Sequence, residues 1–221
     1  MARELFKEYI RGLENEMMDM GRMVVGAIDR SVQALKGRDV AAAKKIVDDD
    51  LLINKKRWEI EEKCIKLIAL QQPVASDLRE IIAALNIITD LERIGDYAEG
   101  IAQIVIMLGD EPLVKPLVDI PLMAQKGIDM LNRSLQAFIN RDSDSALKIC
   151  NEDDEVDKLY EQTYHQLLKC MIEKPDTITK ATRLIWAAHN LERIADRVTN
   201  ICERTVFLVK GLIPEINVSR Y

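Results

Sequence analysis

Two acidic pairs stand out. Glu92 and Asp96 lie in LERIGDYAEG, which begins at Leu91, and Glu192 and Asp196 lie in LERIADRVTN, which begins at Leu191. At 100° per residue, a step of four returns a helix to within about 40° of the same face, so each pair sets two carboxylates side by side. Like charges at that spacing repel by a few tenths of a kcal/mol on an open helix and by far more when partly buried. Something has to compensate. One option is local ion pairing, Arg93 to Asp96 and Arg193 to Asp196, each three residues on. The other is a cation held by carboxylates from adjacent helices. Aligned carboxylates with few imidazoles suit hard or borderline ions such as Mg²⁺, Mn²⁺ or Fe. The residues alone leave both options open.

With 37 acidic residues in 221, about six such pairs arise by chance, so a single pair carries no weight. Recurrence and the helical face add weight. Ile81, Leu85 and Ile88 share a stripe with Glu92, Asp96, Glu99 and Gln103, so an apolar stripe turns acidic halfway along its helix. Ala181, Ile185 and Ala188 lead in the same way into Glu192, Asp196, Thr199 and Glu203. A further pair, Asp153 and Asp157, has Asp50 and Asn54 opposite it in the repeat. These residues belong to the helix before each LER helix, the neighbour that would face it.

The elements that must position these side chains follow from the punctuation. Breaks fall at Gly37–Asp39, at QQPVASD with Pro73, across the proline-rich stretch from Gly109 to Pro121, at Asn140–Ser143, and at EKPDT with Pro175. Asp and Ser after a break are good N-caps, and Pro fits only a first helical turn or a loop. The pattern predicts an all-α chain with helices over 3–36, 39–70, 74–108, 118–140, 143–172 and 176–210, and a loosely held tail around Pro214. RSVQALKGRD from Arg30 matches RSLQAFINRD from Arg133, and KKIVDDDLLINK lies over LKICNEDDEVDK. The offset drifts from 103 to 100 positions between the start and end of the match. Two tandem, pseudo-symmetric three-helix bundles result, over 1–110 and 111–221.

Composition narrows the function classes. Few Gly and Pro with abundant Leu, Ile, Ala, Glu and Lys read as helical. A net charge of −6 argues against a nucleic-acid surface, which needs a basic stripe. The start, MARELFKEYI, lacks the apolar core of a signal peptide, and no apolar run approaches a membrane span. Cys64, Cys150, Cys170 and Cys202 are scattered among apolar neighbours without a CxxC, so reduced core thiols and a cytoplasmic location are expected. Trp58 and Trp186 read as packing residues. The methionines from Met17 to Met23 read as packing or as an adaptable contact surface.

Other chemistries fit less well. His189 lies one turn before Glu192, where a phosphotransfer histidine would want a cation. It reads as a surface residue or an auxiliary ligand. The Glu-x-x-His motif of ferritin-like di-iron proteins is absent, as are HExxH, Walker A, GxSxG and GxGxxG.

QQPVASDLREI after the second helix and DLERIGDYAEGIA on the third, within two tandem three-helix units, resemble the PhoU family along essentially the whole chain. The resemblance implies a cytoplasmic, non-enzymatic negative regulator of phosphate uptake and of phosphate-starvation signalling. It implies action by contact with the phosphate ABC transporter and a phosphate-sensing histidine kinase, and assembly as a homodimer. It also implies metal clusters, often iron or zinc, on Glu/Asp-xxx-Asp motifs. Here those motifs fall on Glu92 and Asp96, and on Glu192 and Asp196, with Asp50, Asn54, Asp153, Asp157, Glu99 and Asn200 as further candidates. The family often continues with Asn four residues later. Asn200 fits that pattern, whereas Gly100 departs from it and leaves Glu99 as the nearby polar substitute. Asp90 fits the first motif, with Asn190 in its place in the second. The rival readings are a carboxylate-bridged metalloenzyme, phosphatase or oxidase, and a metal-free helical adaptor.

Overall fold

The computed structural model describes residues 2–212, with side chains from Glu4 onward, so the tail around Pro214 lies outside the described residues. The helices are α1 (Ala2–Gly37), α2 (Val40–Gln71), α3 (Ser76–Leu108), α4 (Asp119–Asn140), α5 (Ser143–Cys150), α6 (Asp153–Glu173) and α7 (Ile178–Lys210). A short 3-10 turn, Pro175–Thr177, precedes α7, and no strand occurs among the described residues. The fold is the all-α bundle that the sequence predicts.

The repeat is visible in the turns. Asp39 accepts a hydrogen bond from the Ala42 amide at 2.8 Å, and Asp142 accepts one from the Ser145 amide at 2.9 Å. Each is an N-cap satisfying an otherwise orphaned helix donor. The residue before each cap, Arg38 or Arg141, takes a left-handed φ of 56° to make the turn.

One boundary differs from expectation. The helix predicted over 143–172 breaks at Asn151–Glu152, where bonding tightens to three-residue steps: Asn151 N–H to Lys148 C=O at 3.2 Å and Glu152 N–H to Ile149 C=O at 3.0 Å. Asn is a weak helix-interior residue, and the apolar periodicity runs straight across the break. The equivalent stretch of α2 is continuous.

Buried apolar side chains form one core through both repeats, with α3 and α7 at its centre. These two helices run antiparallel. Asp90 meets Asn200, Gly100 meets Asn190, and Arg183 donates to the Met107 carbonyl. The residue numbers of each pair have the same sum, which defines one register. Because the LER segments are offset by 100 positions, the Asp90–Asn200 contact maps onto Gly100–Asn190. The two units are therefore related by an approximate two-fold axis across the α3/α7 seam. Buried Gly95, Ala98, Ala102, Ala187, Ala188 and Ala195 contribute small side chains to these two helices.

Met17 and Met20 are fully buried core residues. Cys64, Cys150 and Cys202 are buried free thiols, and Cys170 is half-buried. The tryptophans correct the sequence reading, being exposed rather than packed. Trp58 is 61% and Trp186 53% exposed, and the Arg57 guanidinium lies 4.7 Å from the centre of the Trp58 ring. That cation–π contact substitutes for burial.

A charged latch also joins the units. Arg141 at the end of α4 donates to Glu14 on α1 at 3.0 Å and to Glu80 on α3. Burial pushes the Glu80 carboxyl up, and the Arg141 charge works against that shift. Replacing Arg141 with Met leaves Glu80 without its charged donor and costs about 2 kcal/mol of stability at pH 7. The loss is smaller at pH 4, where Glu80 is protonated in both proteins. Urea unfolding at the two pH values measures both numbers, and equal stability of variant and wild type at pH 7 would remove the latch.

Candidate metal centre

Each acidic cluster lies between an LER helix and the helix packed beside it. In the first, Asp50 on α2 is 9% exposed, and its Oδ2 accepts from Asn54 Nδ2 at 2.8 Å. Asp50 Oδ1 is buried without a hydrogen-bond partner, as is Asn54 Oδ1. Burial, and then the charges of Glu99, Asp96 and Glu92, push the Asp50 carboxyl up to about 6. The electrostatics thus tie together the α2 and α3 candidates. Gly95 permits the approach, since a Cβ there would lie 3.3 Å from Ile53 and 3.4 Å from Asp50 Oδ1.

Arginines already answer part of this charge. Glu92 Oε2 lies 3.8 Å from Arg57 Nε on α2, and Asp96 pairs with Arg93 at 3.0 Å. Glu99 accepts from Gln103 at 2.8 Å and also lines a cavity of about 150 Å³ with Asp49 and Asp50.

The second cluster joins α6 to α7. Asp153 is 6% exposed, and its Oδ1 has no hydrogen-bond partner. Burial, then Asp157, Asp196 and Glu192, push its carboxyl up to about 7. Glu192 is also pushed up to about 7, by burial and then Asp196, with Arg193 opposing. Asp196 is raised by burial against the pull of Arg193, Arg197 and His189. Asp157 sits at the exposed edge, yet desolvation of its carboxyl, and then Asp196, raise it too. Arg193 pairs with Asp196. Glu192 Oε2 lies 3.3 Å from His189 Nδ1 without hydrogen-bond alignment. The His189 ring is half-exposed beside Tyr160, with centroids 5.9 Å apart.

Eight of the ten candidates fall within these clusters by position, and Glu99 joins the first. Asn200 does not join the second, because its Nδ2 donates to Asp90 Oδ1 at 3.2 Å across the α3/α7 seam. Gly100 occupies the corresponding place in the seam, where a Cβ would stand 3.0 Å from Asn190 Nδ2. A side chain at Gly100 would therefore press on the Asn190 amide across the seam. Arg57 was not among the sequence candidates, although it follows Asn54 by three residues on the same face. Tyr160 occupies the equivalent place in the second cluster.

Among the described residues, no three His, Cys, Asp or Glu side chains yet converge on one ligating point. Raised carboxyls with buried, unpartnered oxygens, Asp50 on α2 in the first cluster and both Asp153 on α6 and Glu192 on α7 in the second, are nevertheless a donor set that fits a hard or borderline cation. A cation would replace proton and arginine as the compensating charge.

The sequence model for the PhoU domain matches residues 17–105 and again residues 120–205. The chain is 38% identical to a phosphate-specific transport system accessory protein PhoU homolog of Clostridium acetobutylicum, over 98% of this chain and all of that protein. It is 39% identical to a homolog of the same name from Aquifex aeolicus, over 95% of each. The crystal structure of the phosphate transport system regulatory protein PhoU from Streptococcus pneumoniae superposes with a TM-score of 0.88 at 31% identity, covering 95% of this chain and 99% of that one. PhoU from Pseudomonas aeruginosa gives 0.88 at 33% identity, covering 94% and 100%.

The raised carboxyls fix a pH dependence for the metal-free protein. Asp153 and Glu192 take up protons near pH 7 when folded, whereas their unfolded values lie at about 4. Between those limits the folded state binds more protons, so stability rises as pH falls from about 8 to about 5. Thermal melts in EDTA across this range should show Tm increasing toward acid. Asp153→Asn should raise Tm at pH 8 and flatten the slope; an unchanged slope would contradict the coupling of these carboxyls.

Proposed function

The chain belongs to the PhoU family, and from that premise we propose that it regulates phosphate transport as a non-enzymatic accessory protein. It acts in the cytoplasm by contact with the phosphate ABC transporter and with a phosphate-sensing histidine kinase, and holds uptake and the starvation response down when phosphate suffices. The observation that carries this reading is full-length similarity to proteins named for the phosphate-specific transport system, 38% over 98% of the chain in the Clostridium acetobutylicum case. No helix among the described residues is long and apolar enough to cross a membrane, and in this reading membrane contact runs through partners. Partner contact, including pairing into a homodimer, needs exposed apolar surface. The α2 helix offers Leu51, Trp58 and Ile65, all exposed and seven residues apart.

The proposal includes metal, with iron or zinc first and Mg or Mn also compatible with the carboxylates. Asp50, Asn54, Glu92 and Asp96 would hold it in the unit over 1–110, with Glu99 nearby. Asp153, Asp157, Glu192 and Asp196 would hold it in the unit over 111–221. When bound, the cation supplies the positive charge that lets these carboxylates stay ionised between packed helices. The chain's own part is to align them and to fix α2 to α3 and α6 to α7.

The two clusters are not equivalent. Asn54 stands where the second cluster has Asp157, and Arg57 supplies a cation where the second has Tyr160. The second cluster therefore carries more uncompensated negative charge, and His189 lies within reach of Glu192.

Two experiments test the reading. Transporter components should co-purify with the chain, and the yield should differ between high and low phosphate. No association under either condition would end the regulatory proposal. Protein purified without chelator should contain metal, with a larger loss in Glu192→Gln/Asp196→Asn than in Glu92→Gln/Asp96→Asn. Equal metal content in wild type and both variants would end the metal proposal.

A further inference from the structure

The second cluster hangs on a break in its own helix. Asp153 is the first residue of α6, directly after Asn151 and Glu152, where only three-residue hydrogen bonds carry the chain. Nothing in the acidic side chains holds this break, because they repel one another. What does grip it is α4. Arg133 donates Nη1 to Glu152 Oε1 at 2.9 Å and Nη2 to Oε2, a bidentate fork. Asp129 Oδ2, one turn earlier on α4, lies 2.8 Å from Arg133 Nη2 and braces it. Lys126, seven residues before Arg133, pairs with Glu155. Two cations of α4 therefore bracket Asp153, one on each side in sequence.

The first unit contains the same device in a simpler form. Arg30 donates Nη1 to Asp49 Oδ2 at 2.7 Å, and Asp49 directly precedes Asp50. Arg30 and Arg133 occupy the same place in the repeat, as do Asp49 and Glu152. A basic residue on the unit's first helix thus grips the residue before the buried acid in both copies. The units differ in what else fixes that acid. The α2 helix runs unbroken through Asp49 and Asp50, so its regular backbone and the hydrogen bond from Asn54 direct the Asp50 side chain. At Glu152 the backbone bonding changes to three-residue steps, and the fork supplies the fixed direction.

We infer that Arg133 and Glu152 are positioning residues for the second ion site, directing Asp153 toward Glu192 and Asp196, while Arg30 is dispensable for the first. This rests on the metal reading above. A bidentate guanidinium–carboxylate pair fixes both distance and direction, which a lysine does not. Half-exposed ion pairs contribute little to global stability. Groups that orient a ligand from behind, by contrast, change metal affinity by about 10–100-fold.

The test is a Mn²⁺ titration followed by EPR of the free aqueous ion. The parent is the Glu92→Gln/Asp96→Asn protein, in which only the second cluster reports. Arg133→Gln in this parent should weaken Mn²⁺ binding by about tenfold or more, Arg133→Lys should fall between, and Glu152→Gln should reproduce Arg133→Gln. Arg30→Gln in the reciprocal Glu192→Gln/Asp196→Asn parent should change affinity by less than about threefold. Metal-free Tm in EDTA should stay within about 2 °C, while amide hydrogen exchange over residues 151–156 should quicken in Arg133→Gln. Mn²⁺ bound by the parent with unchanged affinity in both Arg133→Gln and Glu152→Gln would overturn the positioning role and leave the ion site standing. Equal losses for Arg30→Gln and Arg133→Gln would overturn the role assigned to the break. No Mn²⁺ bound by either parent would overturn the metal reading and this inference with it.

Discussion

The packing of α3 against α7 in one antiparallel register holds the two units together, with Asp90 meeting Asn200, Gly100 meeting Asn190 and Arg183 donating to the Met107 carbonyl along it. Polar side chains of the two helices pair across this seam. Asp90 accepts from Asn200, with Arg197 Nη1 3.5 Å from the same oxygen. On the other side of the pseudo-two-fold, Gly100 faces Asn190. The seam sets the register of the units, and with it the direction in which each LER helix turns its acidic stripe. Each stripe can then meet only the helix on its open flank, α2 in one unit and α6 in the other.

This arrangement creates the electrostatic problem that the molecule has to solve. A carboxylate buried beside other carboxylates loses solvation and gains repulsion, and both favour its neutral form. The first cluster meets this with protein groups: Arg57 beside Glu92, Arg93 on Asp96, and Asn54 in place of an acid. The second has fewer such groups, and its carboxyls are pushed further, Asp153 and Glu192 up to about 7. A site that raises the proton affinity of its acids at neutral pH is also primed to exchange those protons for a cation.

Much of this was legible in the sequence because it rests on local rules. Helix ends followed from Asp39, Asp142 and the prolines, and the repeat followed from matched segments. The stripe turning acidic at Glu92 and Glu192 placed two clusters before any coordinates. Three features were not legible, each for a physical reason. The break at Asn151–Glu152 leaves the apolar periodicity intact, so the pattern cannot register it. Asn200 and Gly100 lie one further turn along the stripe, where helix drift of about 40° per four residues carries side chains off the cluster and into the seam. Trp58 and Trp186 were misread because an aromatic on an amphipathic helix gives the same pattern whether it packs inward or stays exposed.

The broken helix and the richer acid cluster occur in the same unit, and their combination has a physical logic. A carboxylate set with little internal compensation has the most to gain from adjusting its geometry around a cation, and an unbroken helix allows little adjustment. Placing Asp153 at a helix start gives its backbone that freedom, and the Arg133 fork confines it. The helix start has a second effect, since the positive end of the α6 dipole favours negative charge there and offsets part of the repulsion among Asp153, Asp154 and Glu155. In the first unit Asp50 sits deep within α2, far from any helix end, and Asn54 and Arg57 stand in for that help. Two copies of one repeat thus meet the same repulsion by different means, one by substitution along an unbroken helix and the other by breaking the helix and clamping the break.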